Sequence, residues 1–299
     1  MTSVLFDAPG PKARVRHRIL AVVGLLALLG VVGYVVWRFY DSGQFKPRLW
    51  EWLEFKQVQE DLAAALTATL AAFAAGAVLA LAFGAVFAAG RLSEHRWARI
   101  VSGFVVELFR AIPLLILMFI FYYGLPVTGV KLTPYLAVVL GLMLYNGSVL
   151  AEVFRAGILA LPRGQAEAAY ALGMRKTQVM TFVLIPQALR SMAPTIVSQL
   201  VVLLKDTALG FLITYEELLH YAQFIGSQGA FGRPFVPTTI IVAAIYITMC
   251  LLLTWLANYL QKRERRSKKH LEPQGRRPEE VALLADATGG GGVVGAGSI

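Results

Sequence analysis

Residues 62–89 read LAAALTATLAAFAAGAVLALAFGAVFAA and contain no charged side chain. A helix needs roughly 20 apolar residues to cross the hydrocarbon core of a bilayer, so this stretch predicts a transmembrane helix. The rest of the chain agrees, since 57% of its 299 residues are hydrophobic and only 15% are charged. Soluble domains carry about 25% charged residues, and the composition therefore predicts a membrane protein.

Five further apolar stretches are long enough to span a bilayer. They lie near residues 19–37, 100–124, 134–155, 190–213 and 237–260. We therefore predict an all-α, polytopic membrane protein with about six transmembrane helices. The first stretch is too long for the apolar core of a signal peptide, and no Ala-x-Ala cleavage pattern follows it, which favours a retained anchor.

The basic residues are concentrated in segments that alternate with the predicted spans. The amino terminus, the 90–99 loop, the 156–189 loop and the tail after 260 are basic, and with six spans all four lie on one side. Loops rich in Lys and Arg stay in the cytoplasm, so both termini are predicted to be cytoplasmic. This orientation also explains the net charge of +10 without a nucleic-acid partner.

The predicted spans divide the chain into three parts. Residues 1–61 hold the amino terminus, the first span and an external loop, and residues 62–260 form the core, with its cytoplasmic loop at 156–189. Residues 261–299 form a basic tail whose Gly-rich end is expected to be disordered.

Two features of the core predict how its helices are arranged. Residues 214–236 mix polar and apolar side chains and predict an amphipathic helix lying on the outer surface. The second span carries a small residue at every fourth position from Ala64 to Ala88, which predicts a face for close helix packing.

Metal, redox and cofactor chemistry are not expected. Cys250 is the only cysteine, which excludes an intramolecular disulfide and any multi-cysteine metal site. The four histidines are scattered without the spacing of metal ligands. No G-x-x-x-x-G-K-[S/T] phosphate-binding loop occurs, so the chain cannot bind and hydrolyse ATP by that mechanism.

The most informative segment is residues 161–195, LPRGQAEAAYALGMRKTQVMTFVLIPQALRSMAPT. Its core is a short predicted helix from Gln165 to Leu172, ended by Gly173, because glycine adopts a left-handed helix end most readily. A short helix with a sparse apolar face that projects into the cytosol suits docking into a groove of another protein. The alternative is a loop helix that only lies at the membrane interface.

This segment closely resembles the EAA loop of ATP-binding cassette (ABC) importer permeases. Glu167-Ala168-Ala169 is followed by Gly173 and then by Val183-Leu184-Ile185-Pro186. Over residues 62–260, further motifs resemble the polar amino acid branch of that family. These motifs are ELFRAIPLL at 107–115, AEVFRAGI at 151–158, PQALR at 186–190 and KDTAL at 205–209. The chain departs from this branch in its additional first span and in Ala208, which replaces a usual Ser.

The resemblance implies a type I importer permease in the bacterial cytoplasmic membrane, which is a transport subunit and not an enzyme. It implies four kinds of partner: a pair of ABC ATPase subunits, a second permease subunit that is identical or paralogous, an extracytoplasmic solute-binding protein, and an amino acid substrate. Similarity to glutamate permeases makes glutamate the first candidate, ahead of glutamine, histidine and arginine. The residues implied to couple the permease to the ATPase are Glu167, Ala168, Ala169, Leu172 and Gly173.

Ionisable residues inside the predicted spans are a second functional signal, because each costs about 2.5–3.5 kcal/mol at the centre of a transmembrane helix. Glu107 and Arg110 are three residues apart, as are Glu152 and Arg155, so the members of each pair share a helical face and could neutralise each other. Both structural pairing and contact with the substrate are consistent with these positions.

A further polar group, Lys205, Asp206 and Thr207, lies deeper in the fifth span. Adjacent helical residues do not share a face, so Lys205 and Asp206 must find separate partners or line a polar path. A zwitterionic amino acid needs complementary charges during passage, which these side chains could provide. The other interpretation is a buried pair that braces the interface between two permease subunits.

Pro113 and Asn146-Gly147 are predicted to interrupt the third and fourth spans, where freed backbone groups could open towards a cavity. The rival function is a secondary transporter driven by protons or sodium, which would use the buried charges of the fourth and fifth spans as its coupling site. A nonenzymatic membrane scaffold is a third possibility, and it explains none of the motifs.

Overall fold

The computed structural model describes residues 10–268. Within that range the chain is helical and holds no β-strand, which confirms the predicted all-α class. The α-helices are α1 (Pro11–Asp41), α2 (Lys56–Arg91), α3 (Arg96–Ala111), α4 (Leu114–Phe119), α5 (Pro134–Leu159), α6 (Arg163–Ala171), α7 (Lys176–Gln178), α8 (Ile185–Asp206), α9 (Leu218–Ser227) and α10 (Phe235–Lys268). Turns of 3-10 helix lie at Pro47–Glu54, Leu125–Thr128, Thr207–Ile213 and Gly229–Phe231, and π-helical turns at Ile120–Gly124 and Val179–Leu184. The Gly-rich tail that was predicted to be disordered lies outside the described residues.

Five helical runs are long and apolar enough to cross a bilayer, and a bent pair supplies the sixth when it is counted as one span. The five runs are Lys12–Asp41, Lys56–Arg91, Pro134–Leu159, Lys176–Ile213 and Phe235–Tyr259. Each coincides with a predicted stretch, so the polytopic fold with about six spans is confirmed. The apolar window of α1 is wholly exposed, whereas that of α5 is 56% buried, so α5 is the most enclosed of these helices.

The third predicted span, 100–124, is a bent pair of helices, and the interruption predicted at Pro113 is confirmed. Its two halves, Arg96–Ala111 and Leu114–Thr128, are bent by 96° relative to each other. The break lies at Pro113, which lacks a backbone N–H and disfavours the helical conformation of the residue before it. Ile112 accordingly has φ −88° and ψ 125°, an extended conformation.

The small residues of α2 form a contact face. Those at every fourth position from Ala72 to Ala88 are buried, whereas Ala64 is exposed. A Cβ added at Gly84 would lie only 2.9 Å from the Leu150 Cβ of α5, so the two helices approach closely there. The predicted packing face is thus confirmed over most of its length.

Gly147 of α5 serves the same close approach from the other side. A Cβ at this position would lie 2.9 Å from the Phe83 ring and 3.1 Å from the Ala80 carbonyl oxygen, both of α2. The helix continues without a break through Asn146 and Gly147, so the predicted interruption there is wrong. This glycine is required by helix packing and not by a change of chain direction.

α2 and α5 run parallel, because Gly76 faces Leu142 and Gly84 faces Leu150, and this defines the two ends of the bundle. At the end where both helices finish, Arg91 Nη1 lies 3.0 Å from Glu152 Oε2, and α6 follows directly in the chain. At the end where α5 begins, Tyr135 packs beside Tyr215, whose hydroxyl donates to the Ala68 carbonyl oxygen at 2.6 Å. We call these the α6 end and the α9 end.

The prediction that residues 214–236 form one amphipathic helix on the membrane surface is wrong. The helix in this segment, α9, is restricted to Leu218–Ser227 and packs its apolar face into the protein. Tyr221 and Ile225 join a buried cluster with Val242 of α10, and the Tyr221 hydroxyl donates to the Val58 carbonyl oxygen of α2 at 2.9 Å. The apolar face that suggested a membrane surface is therefore covered by α2 and α10.

Candidate functional site: the α6 segment and the buried polar groups

The short helix predicted from Gln165 to Leu172 is present as α6, and it ends at a left-handed glycine as expected. Gly173 has φ +79°, and its N–H donates to the Tyr170 carbonyl oxygen at 2.9 Å. The N–H of Met174 then reaches the Ala169 carbonyl oxygen at 3.3 Å. These two bonds close the carboxyl end of α6 in the manner that favours glycine at this position.

Four of the five residues implied to couple lie on the exposed surface of this segment. Glu167, Ala168, Leu172 and Gly173 are exposed, whereas Ala169 is only 4% exposed and holds α6 against the rest of the chain. Leu172 is 84% exposed. The segment therefore presents an apolar side chain that the described part of the chain does not cover.

The connection that carries α6 is shorter than the predicted 156–189 loop. α5 continues to Leu159, and helical structure resumes at Lys176 and passes through a π-helical turn into α8. The end of the predicted loop is therefore part of the fifth span. Pro186 is accommodated because it stands in the first turn of α8, where a missing N–H is tolerated.

Side-chain contacts attach the α6 segment to the rest of the bundle. Lys176 Nζ lies 3.1 Å from Glu94 Oε1 and 3.4 Å from the Leu92 carbonyl oxygen, which ties it to the connection between α2 and α3. Gln187 Nε2 of α8 lies 3.4 Å from Gln165 Oε1 of α6. These contacts link a displacement of α6 to the positions of α2, α3 and α8.

The charged residues at the α6 end are paired differently from the prediction. Glu152 and Arg155 do pair, at 2.6 Å between Oε1 and Nη2. Glu107, however, lies 3.5 Å from Arg91 of α2, so the predicted pair within α3 is wrong, and Arg110 is not its partner. Arg91 also contacts Glu152 at 3.0 Å and thereby joins α2, α3 and α5.

Sequence reasoning missed Arg91, because it stands at the end of a span and was counted only as a basic loop residue. Its side chain is only 15% exposed. Spacing alone does not point to Arg91, because Glu107 and Glu152 each have an arginine three residues away on their own helix.

A second polar group lies inside the bundle between α5 and α8. Asn146, which is fully buried, donates from Nδ2 to Asp206 Oδ2 at 3.1 Å. The same amide accepts a hydrogen bond at Oδ1 from Gln199 Nε2 at 2.7 Å. Gln199 and Asp206 are seven residues apart, and that spacing places them on one face of α8.

Lys205 and Asp206 lie on different faces of α8, because adjacent helical residues do not share a face. Lys205 is exposed, whereas Asp206 is partly buried against Asn146. Thr207 is fully buried and its hydroxyl donates to the Leu204 carbonyl oxygen at 2.7 Å, so it is satisfied within its own helix. Asp206 thus contacts α5 of the same chain. Of the three residues, Lys205 is the one that is exposed at the surface.

Replacement of Asn146 by alanine is expected to lower the free energy of unfolding by about 1–3 kcal/mol, because Gln199 and Asp206 would both lose a buried partner. Denaturant unfolding of the purified protein in detergent measures this. Asn258→Ala is the matched control, since Asn258 is exposed on α10 and its removal should change little. Equal stability of the two variants would contradict a bracing role for the amide.

At the α9 end, a buried carboxylate joins α9 to α10. Glu217 is fully buried and accepts hydrogen bonds from the Leu219 and His220 N–H groups, both at 2.8 Å, and from the Tyr246 hydroxyl at 2.7 Å. Burial raises the pKa of the Glu217 carboxyl, while these three hydrogen bonds act in the opposite direction. In the sequence, Glu217 was only one polar position among several in 214–236.

Within residues 10–268, no group of three or more His, Cys, Asp or Glu side chains is placed to hold a metal ion.

Comparison with known proteins identifies relatives for most of the chain. The family described as "Binding-protein-dependent transport system inner membrane component" matches residues 80–266. The glutamate transport system permease protein GluD of Corynebacterium glutamicum is 40% identical over 213 residues, covering 69% of this chain and 76% of the relative. The L-cystine transport system permease protein TcyB of Bacillus subtilis is 34% identical over 195 residues, covering 65% of this chain and 81% of the relative.

Among solved structures, an amino acid ABC transporter crystallised with histidines has a similar chain. The TM-score is 0.64 and the sequence identity 29%, with 71% of this chain and 98% of the other chain covered. The bundle described above is thus similar to that of a transporter chain over nearly the whole length of the latter.

Proposed function

Because the chain belongs to the family of binding-protein-dependent transport system inner membrane components and is the permease component of an amino acid ABC importer, we propose that it imports a polar or charged amino acid, with glutamate as the first candidate. The 40% identity to a glutamate permease supports this candidate. A cystine permease at 34% identity is a reason to test other side chains as well. The permease makes and breaks no covalent bond; it changes which side of the membrane the substrate can reach.

The coupling to ATP hydrolysis is proposed to run through α6. The supporting observation is the exposed surface of Glu167, Ala168, Leu172 and Gly173, with Leu172 84% exposed. A leucine of this kind gains about 1.5–3 kcal/mol when it is buried in a groove of a partner. Since the sequence holds no phosphate-binding loop, the groove and the ATP belong to a separate ATPase chain.

The proposed assembly contains two permease subunits, two ATPase subunits and one solute-binding protein outside the membrane. Its orientation follows the basic segments, which place the α6 end and both termini in the cytoplasm. The α9 end then faces the solute-binding protein. Each partner binds one of the two conformations of the permease more tightly, and transport is coupled to ATP through that difference.

Uptake of a labelled amino acid panel tests the substrate. Cells that lack this chain, with and without the wild-type copy restored, are given glutamate, aspartate, glutamine, histidine, arginine and cystine. Restoration is expected to rescue one chemical class, with the largest gain for glutamate. If none of these amino acids is rescued while the protein is properly inserted, the proposed substrate class is wrong.

The same cells separate this function from ion-coupled secondary transport. Glu152 is neutralised by Arg91 and Arg155, and Asp206 is hydrogen-bonded to Asn146, so neither carboxylate stands alone as a proton or sodium site. Uptake is therefore expected to continue when the membrane potential is collapsed while ATP is maintained. Immediate loss of uptake under these conditions would favour the secondary transporter.

A further inference from the structure

A cavity of about 590 Å³ opens at the α9 end, between the start of α2, the start of α5 and α9. Its volume is within the range of 300–1,000 Å³ that is usual for small-molecule sites. The side chains that give it chemical character are two carboxylates, an imidazole and four aromatic rings. They are Asp61, Glu216, His220, Tyr135, Tyr215, Tyr221 and Phe224.

The charge of this cavity is negative. Asp61 and Glu216 contribute carboxylates, and among the described residues no lysine or arginine lines the cavity. His220 can add at most one positive charge, so the lining stays negative in either of its protonation states. Lys56, which is nearby in sequence, lies 3.5 Å from Glu60 and not from either cavity carboxylate.

The Asp61 carboxylate has spare capacity to bind a ligand. One oxygen, Oδ1, accepts a hydrogen bond from Gln57 Nε2 at 2.9 Å, and within the described residues Oδ2 has no donor. Tyr221, which lines the same cavity, has its pKa raised to about 12. Burial is the larger cause, and the negative charge of Asp61 is the second. A cation placed in the cavity would face this carboxylate without competition from a positive side chain.

Two pairs of aromatic rings line the same cavity. Tyr135 and Tyr215 have ring centroids 6.1 Å apart, and Tyr221 and Phe224 have centroids 6.5 Å apart. The faces of such rings attract ammonium and guanidinium groups. Carboxylates together with aromatic faces form a lining that suits an organic cation better than an anion or a neutral apolar molecule.

We propose that this cavity binds a primary ammonium or guanidinium group at the α9 end of the permease. Two sources carry that chemistry: the α-ammonium or basic side chain of a free amino acid, and a lysine or arginine side chain of the docked solute-binding protein. For free amino acids, the negative lining sets the order of affinity: arginine binds more tightly than glutamine, and glutamine more tightly than glutamate. The identity of the second source rests on the proposed function, whereas the binding of free amino acids does not.

The experiment uses the intact permease–ATPase complex in nanodiscs, without nucleotide. Equilibrium binding of labelled arginine, glutamine and glutamate is measured for the wild type and for Asp61→Asn and Glu216→Gln. Each variant is expected to weaken arginine binding about tenfold, since one unit charge is removed from a partly screened site. Glu60→Gln is the matched control, because Glu60 is next to Asp61 in sequence, is ion-paired with Lys56 and does not line the cavity.

A second arm measures docking of the solute-binding protein to the same three variants. Loss of amino acid binding with normal docking assigns the cation to the free amino acid, and the reverse result assigns it to the binding protein. If Asp61→Asn and Glu216→Gln resemble Glu60→Gln in both arms, the cation site is wrong. Purification of the ATPase together with the permease reports separately on the proposed function, because none of these substitutions touches α6.

Discussion

Replacement of Gly173 by aspartate is expected to abolish ATP-driven uptake while the permease stays inserted in the membrane. The glycine has φ +79°, and a Cβ at this position would meet no atom within 4 Å, so the fold has room for the new side chain. What changes is the surface offered to the ATPase, which gains a negative charge at the end of α6. Uptake and the amount of ATPase that purifies with the permease are both measured.

Gly129→Asp is the matched control for this variant. Gly129 also has positive φ, at +91°, and open space around its missing Cβ, but it follows Thr128 on the path from α4 towards the start of α5 at the α9 end. Both variants place an aspartate at positive φ and add the same charge, but at opposite ends of the bundle. Normal uptake by Gly173→Asp, or equal loss of the co-purifying ATPase in both variants, would refute the assignment of coupling to α6.

Leu172→Ala tests the same surface without changing the backbone. Because Leu172 is 84% exposed, its truncation leaves the packing of the isolated chain intact. Loss of a buried leucine contact with a partner is expected to weaken ATPase binding by roughly 10- to 100-fold, which corresponds to about 1.5–3 kcal/mol. Unchanged affinity would show that this side chain does not enter the ATPase.

Replacement of Glu217 by alanine is expected to lower the free energy of unfolding by about 2–4 kcal/mol. The substitution would leave the Tyr246 hydroxyl and two N–H groups at the start of α9 without their acceptor in a fully buried position. α9 would lose its amino-terminal cap and its hydrogen bond to α10, whereas the apolar packing of Tyr221 and Ile225 beside Val242 would remain. Denaturant or thermal unfolding in detergent measures the change.

Glu216→Ala serves as the control for stability, because Glu216 is the adjacent residue and is exposed. It is expected to unfold at nearly the same denaturant concentration as the wild type. Tyr246→Phe provides a second test, since it removes one of the three donors to Glu217 and should produce part of the loss. If Glu217→Ala unfolds like Glu216→Ala, the buried carboxylate is not what fastens α9 to α10.

Some local features followed from short stretches of sequence. The end of α6 at Gly173 could be predicted because a left-handed residue at a helix end is a local backbone requirement. The break at Pro113 could also be predicted, since proline acts on its own neighbours. Its 96° angle could not, because α3 and α4 are directed by the helices they pack against. Gly147 shows the opposite case: the same residue type lies in an unbroken helix, where it makes room for Phe83 of α2.

The partners of the charged and polar side chains could not be predicted reliably from the sequence. Spacing on one helix correctly paired Glu152 with Arg155, but it wrongly paired Glu107 with Arg110. The true partner of Glu107, Arg91, belongs to another helix.

The six membrane crossings could be predicted from sequence, because the length of an apolar run decides whether a helix can span the hydrocarbon core. The motifs of the α6 segment could also be found in this way, since they are continuous in the chain. Which side chains meet depends on the tertiary structure: Arg91 contacts Glu107 and Glu152, and Asn146 contacts Asp206. The physical reason is that hydropathy acts through each helix and its solvent, whereas an ion pair or a buried hydrogen bond needs two helices at a particular distance and rotation.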